Sequence, residues 1–115
     1  MAGLASTPEP PYHAVIFTST TTDRTDGYAE AAARMIELAG DVPGFLGVDS
    51  ARGGDGVGIT VSYWESEDAI ATWRADAEHT VVRETGRTRW YQEYELRVAR
   101  VERAYGFTRV RPRPG

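Results

Sequence analysis

From Val57 to Trp64 the side chains alternate in character. Val57, Ile59, Val61 and Tyr63 fall on one face and Gly58, Thr60, Ser62 and Trp64 on the other, the period of a half-buried strand. The period then lengthens. Ser66 is placed as a helix N-cap, Glu67 and Asp68 occupy the first turn where the amide dipoles favour negative charge, and Ile70, Trp73 and Ala77 recur at helical spacing. This pattern predicts a single helix running to His79, with the imidazole at its far end, where it can meet the last carbonyls.

The rest of the chain punctuates itself in the same way. Tyr12 to Ser19, rich in aromatic and branched residues, predicts a first strand, and Thr20 to Asp26 a polar connector. Tyr28, Ala32, Met35, Ile36 and Ala39 make one stripe of a helix that ends at Gly40. Pro43-Gly44 turns the chain into a second strand, Phe45 to Arg52, and the Gly53-Gly54-Asp55-Gly56 loop closes a hairpin with the third. Thr80 to Tyr91 follows no single period and predicts a short, irregular helix. Tyr94, Leu96 and Val98 alternate with charged residues before the apolar phase slips to Ala99 and Val101, which predicts a bulge in a final strand reaching about Tyr105.

The order strand, helix, strand, strand, helix, strand gives an α+β fold, a ferredoxin-like βαββαβ antiparallel sheet with helices on one face. Strands one and three also supply apolar residues to the other face, and an uncovered apolar sheet predicts a homodimer packed sheet against sheet. The organisation expected is a flexible arm over residues 1–11, one domain over 12–107, and a basic, Pro-rich tail over 108–115.

Composition removes several chemistries. The chain has no Cys, which excludes disulfides and thiolate sites and gives no reason for an oxidising compartment. All thirteen basic residues are Arg, so Schiff-base and phosphate-loop lysine chemistry is absent. No apolar run approaches membrane-spanning length, and the first residues lack the pattern of a signal peptide, so the expected location is the cytoplasm, away from membranes. From Arg83 onward nine Arg face four Glu, but the remainder is acidic and these Arg mostly alternate with Glu, which argues against a nucleic-acid partner. The two His are far apart in sequence and form no ligand pattern, so no metal site is expected. The glycine loop leads into a strand, which is the wrong context for a phosphate or dinucleotide site.

Pro43-Gly44-Phe45-Leu46-Gly47, Tyr63-Trp64-Glu65-Ser66, Ala69-Ile70, Trp73 and His79 together resemble the antibiotic biosynthesis monooxygenase family, over about Tyr12 to Phe107. The resemblance implies a dimeric α+β barrel. It also implies one of several activities: cofactor-free oxygenation of electron-rich aromatic polyketides, heme degradation, isomerisation, or no reaction at all. Heme-degrading relatives use a His at the end of the second helix, a Trp at the end of the third strand and an Asn on the first. His79 and Trp64 stand near the first two positions, whereas this chain has no Asn and a shorter interval between Trp73 and His79.

A cofactor-free oxygenase needs a base, donors for a substrate anion, and a pocket that excludes water. His79 is the candidate base, because His titrates near neutral pH. Arg83, four residues on, shares its helical face and is the candidate holder of an enolate or phenolate oxygen. Tyr63 completes the catalytic candidates. Trp64, Trp73, Trp90, His13 and Phe17 are the candidate substrate-binding residues, suited to stacking on a small aromatic ligand. Each has a plainer reading as well: Trp73 as core, His13 as a dimer contact, and Arg83 and Arg87 as surface partners of Glu84 and Asp76. The leading expectation is oxygenation without cofactor. The alternatives are a heme protein with His79 as axial ligand, and a non-catalytic small-ligand-binding or stress-associated dimer.

Overall fold

The computed structural model describes residues 3–109; Met1, Ala2 and the end of the basic tail, 110–115, lie outside the described residues. Four strands, β1 (Tyr12–Thr21), β2 (Phe45–Arg52), β3 (Val57–Trp64) and β4 (Tyr91–Val101), form one antiparallel sheet in the order β2-β3-β1-β4. Three helices, α1 (Tyr28–Gly40), α2 (Glu67–Arg74) and α3 (Ala77–Thr85), complete the expected ferredoxin-like α+β fold, and a π-helical turn at Gly86–Trp90 leads α3 into β4.

Register decides which side chains meet. His13 pairs with Trp64, Val15 with Ser62, Phe17 with Thr60 and Ser19 with Gly58, so these residues share the helix-covered face. Ala14, Ile16 and Thr18 lie on the opposite face with Tyr63, Val61 and Ile59. The core is small: Val15, Ala39, Trp64, Ala69 and Ile70 are buried together, with Val42, Phe45 and Trp73 packed around them. Trp64 is 0% exposed and satisfies its indole N–H on Ser62 Oγ at 2.8 Å. On the open face Val57 and Ile59 remain 40% and 46% exposed.

Local chemistry explains the joints. Ser66 caps α2 by accepting the Ala69 amide, as its position predicts. Gly44 has φ +99°, and a Cβ there would stand 2.8 Å from Ala69 Cβ, so the turn into β2 requires glycine on both counts.

Three expectations are corrected. The helix after Ser66 does not run to His79. It stops at Arg74, and Asp76 starts α3 by accepting the Glu78 and His79 amides, which places His79 in a first turn and not at a last carbonyl. No bulge interrupts β4 at Val98, because pairing with β1 is continuous from Tyr12↔Val101 to Thr20↔Glu93 and shifts only beyond Thr20. The change of apolar phase marks a change of face: Leu96 and Val98 lie with the helices, Ala99 and Val101 with the open side. β4 also ends at Val101, short of Tyr105. The arm from Gly3 to Pro11 has little regular structure and is tied to the open face, with the Ala5 amide donating to Asp49 Oδ1 at 2.8 Å.

Candidate functional site

Two aromatic clusters occupy the helix-covered side. In the first, rings run in a chain from the core outward. Phe45 meets Trp64 at 5.2 Å between centroids, Trp64 meets Trp73 at 5.3 Å, and Trp73 meets the His79 imidazole at 4.2 Å. The helix break at Ala75–Asp76 makes this possible, since it turns α3 so that His79 lies back on the Trp73 ring. Arg83 follows one turn later on α3, as its spacing predicts, and its Nη1 donates to the Arg74 carbonyl at 3.5 Å. His13 lies beside Trp64 on the same sheet face.

This end is incompletely satisfied. His13 Nδ1, Trp73 Nε1, His79 Nδ1 and Arg83 Nε are buried and have no hydrogen-bond partner. Folded proteins rarely bury polar atoms unpaired, and such atoms mark places where a ligand or solvent completes the structure. His79 has its pKa lowered, first by burial and further by the positive charges of Arg83 and Arg74, against opposing contributions from the Trp73 backbone and Asp76. The imidazole is therefore neutral at pH 7 and able to accept a proton. A groove of about 420 Å³ opens between the helices and the sheet, lined by Glu67, Ile70, Ala71, Arg74 and Ala75 of α2, Arg83 of α3 and Val98 of β4; of the candidate residues only Arg83 lines it.

The second cluster is closed upon itself. Arg52 Nη2 donates to Ser19 Oγ and Tyr28 OH, both at 2.9 Å, and Nη1 donates to the Gly56 carbonyl at 2.6 Å. Gly58, its register partner, leaves the room: a Cβ there would stand 2.5 Å from the guanidinium. Trp90 packs edge-on against Tyr28 and donates its indole N–H to the Asp26 carbonyl at 2.9 Å. Phe17 lies against Tyr91 and Tyr94, and Arg87 donates to Tyr94 OH at 2.8 Å.

The eight candidate residues thus fall into three places. His79, Arg83, Trp73, Trp64 and His13 belong to the first cluster, although Trp64 is sealed in the core. Trp90 and Phe17 belong to the second. Tyr63 is on the opposite face of the sheet, packed edge-on against Tyr12 and donating to Asp49 Oδ2 at 2.9 Å. Burial first, then the hydrogen bond and charge of Asp49, push its hydroxyl up to about 12. The single pocket expected to hold Tyr63 and Trp90 beside His79 is therefore corrected. Of the surface pairings read for Arg83 and Arg87 with Glu84 and Asp76, the structure has Arg87 with Glu84, at 3.1 Å, while Arg83 bonds the Arg74 carbonyl. Arg74, which lines the groove, was missed; its place in the last turn of α2, five residues before His79, was the available signal.

A heme at His79 does not fit these residues. Trp64, which would have to crowd a porphyrin, has no exposed surface. Among the described residues, no group of three His, Asp or Glu is placed to hold a metal ion, and no helix is long and apolar enough to cross a membrane.

Comparison with known proteins adds the family context. Residues 11–85 match the profile described as "Antibiotic biosynthesis monooxygenase". An uncharacterised Bacillus subtilis protein, YqjZ, is 57% identical over 100 residues, covering 87% of this chain and 88% of that protein. SnoaB, a cofactor-independent oxygenase from Streptomyces nogalater, superposes with a TM-score of 0.66 at 16% identity over 92% of this chain and 100% of its own. Protein SO0527 from Shewanella oneidensis superposes with a TM-score of 0.72 at 9% identity, covering 82% of this chain and 94% of that one. At such identities the two structural likenesses speak to fold alone.

Proposed function

The chain belongs to the antibiotic biosynthesis monooxygenase family, and from that premise we propose that it is a cofactor-independent oxygenase of a small, electron-rich aromatic or polyketide-like substrate. The observation that carries this reading is a neutral, half-buried His79 that shares one face of α3 with Arg83, which itself lines the groove, among buried nitrogens without partners. The substrate ring lies in the groove on Ile70, Ala71 and Val98, within reach of Arg83. His79 Nδ1 removes a proton from the acidic CH₂ of an anthrone-like substrate, and Arg83 holds the oxygen on which the negative charge collects. The anion passes an electron to O₂ and combines with it. The proton returns from His79 to the resulting peroxide, which loses water to leave a ketone, so that R₂CH₂ and O₂ become R₂C=O and H₂O. Burial serves this chemistry by keeping the base neutral.

The working form in this proposal is a cytoplasmic homodimer whose open sheet faces, carrying Val57 and Ile59, cover one another. Light scattering at micromolar concentration tests this directly, and a monomer mass refutes it.

The test of the reaction is oxygen uptake by the purified protein with anthrone-like and quinol substrates. The wild type and Tyr63→Phe are expected to consume oxygen. Loss of the base or of the oxyanion donor, in His79→Ala or Arg83→Ala, is expected to cost on the order of 100-fold. Equal turnover by all four proteins removes the site assignment.

A further inference from the structure

The groove is polarised in a way the oxygenase reading does not require. Its lining is mostly apolar, from Ile70, Ala71, Ala75 and Val98, while Arg74 and Arg83 lie at one end, where Arg83 Nη1 reaches the Arg74 backbone carbonyl. Glu67 stands seven residues before Arg74 on the same helix, about 10 Å away along the axis, too far to neutralise that end in solvent. Among the described residues neither Arg74 nor Arg83 has an ion-pair partner, as is true of most of the described arginines, while Arg34 has two and Arg87 and Arg97 one each. Arg83 has only a long bond to a carbonyl, and its Nε is buried without an acceptor. A guanidinium offers a planar fork that matches a carboxylate, and two of them here have no such group to hold.

We propose that the ligand of this groove is an aryl carboxylate, its ring lying on Ile70, Ala71 and Val98 and its carboxylate bridging Arg74 and Arg83. This rests on the reading of the groove as the substrate site and names the substrate class. It also assigns Arg74 as a specificity-determining residue. A consequence follows for the base. Both arginines disfavour protonation of His79, so a carboxylate seated between them offsets their charge and makes His79 more basic when the substrate is present.

The experiment uses the full chain, with 2-naphthoate and its neutral analogue 2-naphthamide as probes. Calorimetry is expected to give about tenfold tighter binding of the carboxylate at low salt, an advantage that shrinks as salt is added. Arg74 is exposed, so Arg74→Gln leaves the fold intact. That variant is expected to lose most of the preference while still binding 2-naphthamide. His79, followed by NMR, should show a raised pKa with 2-naphthoate and no change with 2-naphthamide. Equal affinity for the two probes, binding of neither, or a preference that survives in both Arg74→Gln and Arg83→Gln overturns the proposal. Failure of the oxygenase reading is a separate result: carboxylate binding as described, with no oxygen consumed by any carboxylated anthrone-like compound.

Discussion

Both ends of the helix-covered face are built from Trp, Tyr and Arg, yet they finish their polar groups differently. Around Arg52 and Trp90 the polar atoms close on partners within the domain: Ser19, Tyr28, Gly56, Asp26 and Tyr94 take the guanidinium and indole donors. Around His79 they do not, and four buried nitrogens face no acceptor or donor. An aromatic cluster is thus a poor guide to a binding site on its own. What separates scaffold from site is whether the buried polar groups are already satisfied.

Substitutions at the two ends sharpen this contrast, and the largest effect belongs to neither end's polar groups. Trp64, the sealed residue between sheet and α2, should lose about 3–5 kcal/mol of stability as Trp64→Ala, read by urea denaturation, because its site cannot collapse around the missing ring. A loss no greater than that of a surface residue would mean that the first cluster is not anchored in the core.

The other two tryptophans come next. Trp90→Phe removes a donor from the Asp26 carbonyl, whereas Trp73→Phe removes one that bonds nothing. Both lose similar ring volume, so Trp90→Phe should cost about 1–2 kcal/mol more. Equal costs would break the distinction between a satisfied and an unsatisfied end.

The smallest effect is on proton affinity. His79 should titrate below its ordinary value of about 6.5, and Arg83→Gln should move it back upward, since the arginine's charge is one of the causes of the lowering. The sign for stability follows. Below pH 6.5 the unfolded chain binds a proton that the folded chain resists, so His79 withdraws stability as the pH falls from 6.5 toward its folded pKa. His79→Gln should flatten that part of the stability–pH curve, and an unchanged slope would place the imidazole in solvent.

The sequence made the sheet legible because each strand carries period-two alternation and each turn its own chemistry, Pro43-Gly44 and Gly53 to Gly56 among them. It concealed the break between α2 and α3, because Ile70, Trp73 and Ala77 keep a helical interval across it. Asp76 was the clue, a side chain suited to capping that sits just ahead of Glu78 and His79. Arg83 was found because α3 continues through it. Tyr63 was misplaced for a longer-range reason. Alternation already set it apart from Trp64, but its tie to Asp49 depends on the β2–β3 register, in which Asp49 stands opposite Val61. Burial was the least legible quantity. Trp64 is sealed while Val57 and Ile59 stay open, since only one face of the strand received helices.

The indole N–H signals offer the most direct test, because the three tryptophans report separately on core, site and scaffold. In a nitrogen–proton NMR titration with an anthrone-like phenol under nitrogen, the Trp73 Nε1 signal and the His79 ring signals should shift together and saturate, while Trp64 and Trp90, already bonded to Ser62 and Asp26, stay in place. A saturable shift of Trp90 with Trp73 unmoved would put the ligand at the other end of the molecule and contradict the assignment of the site.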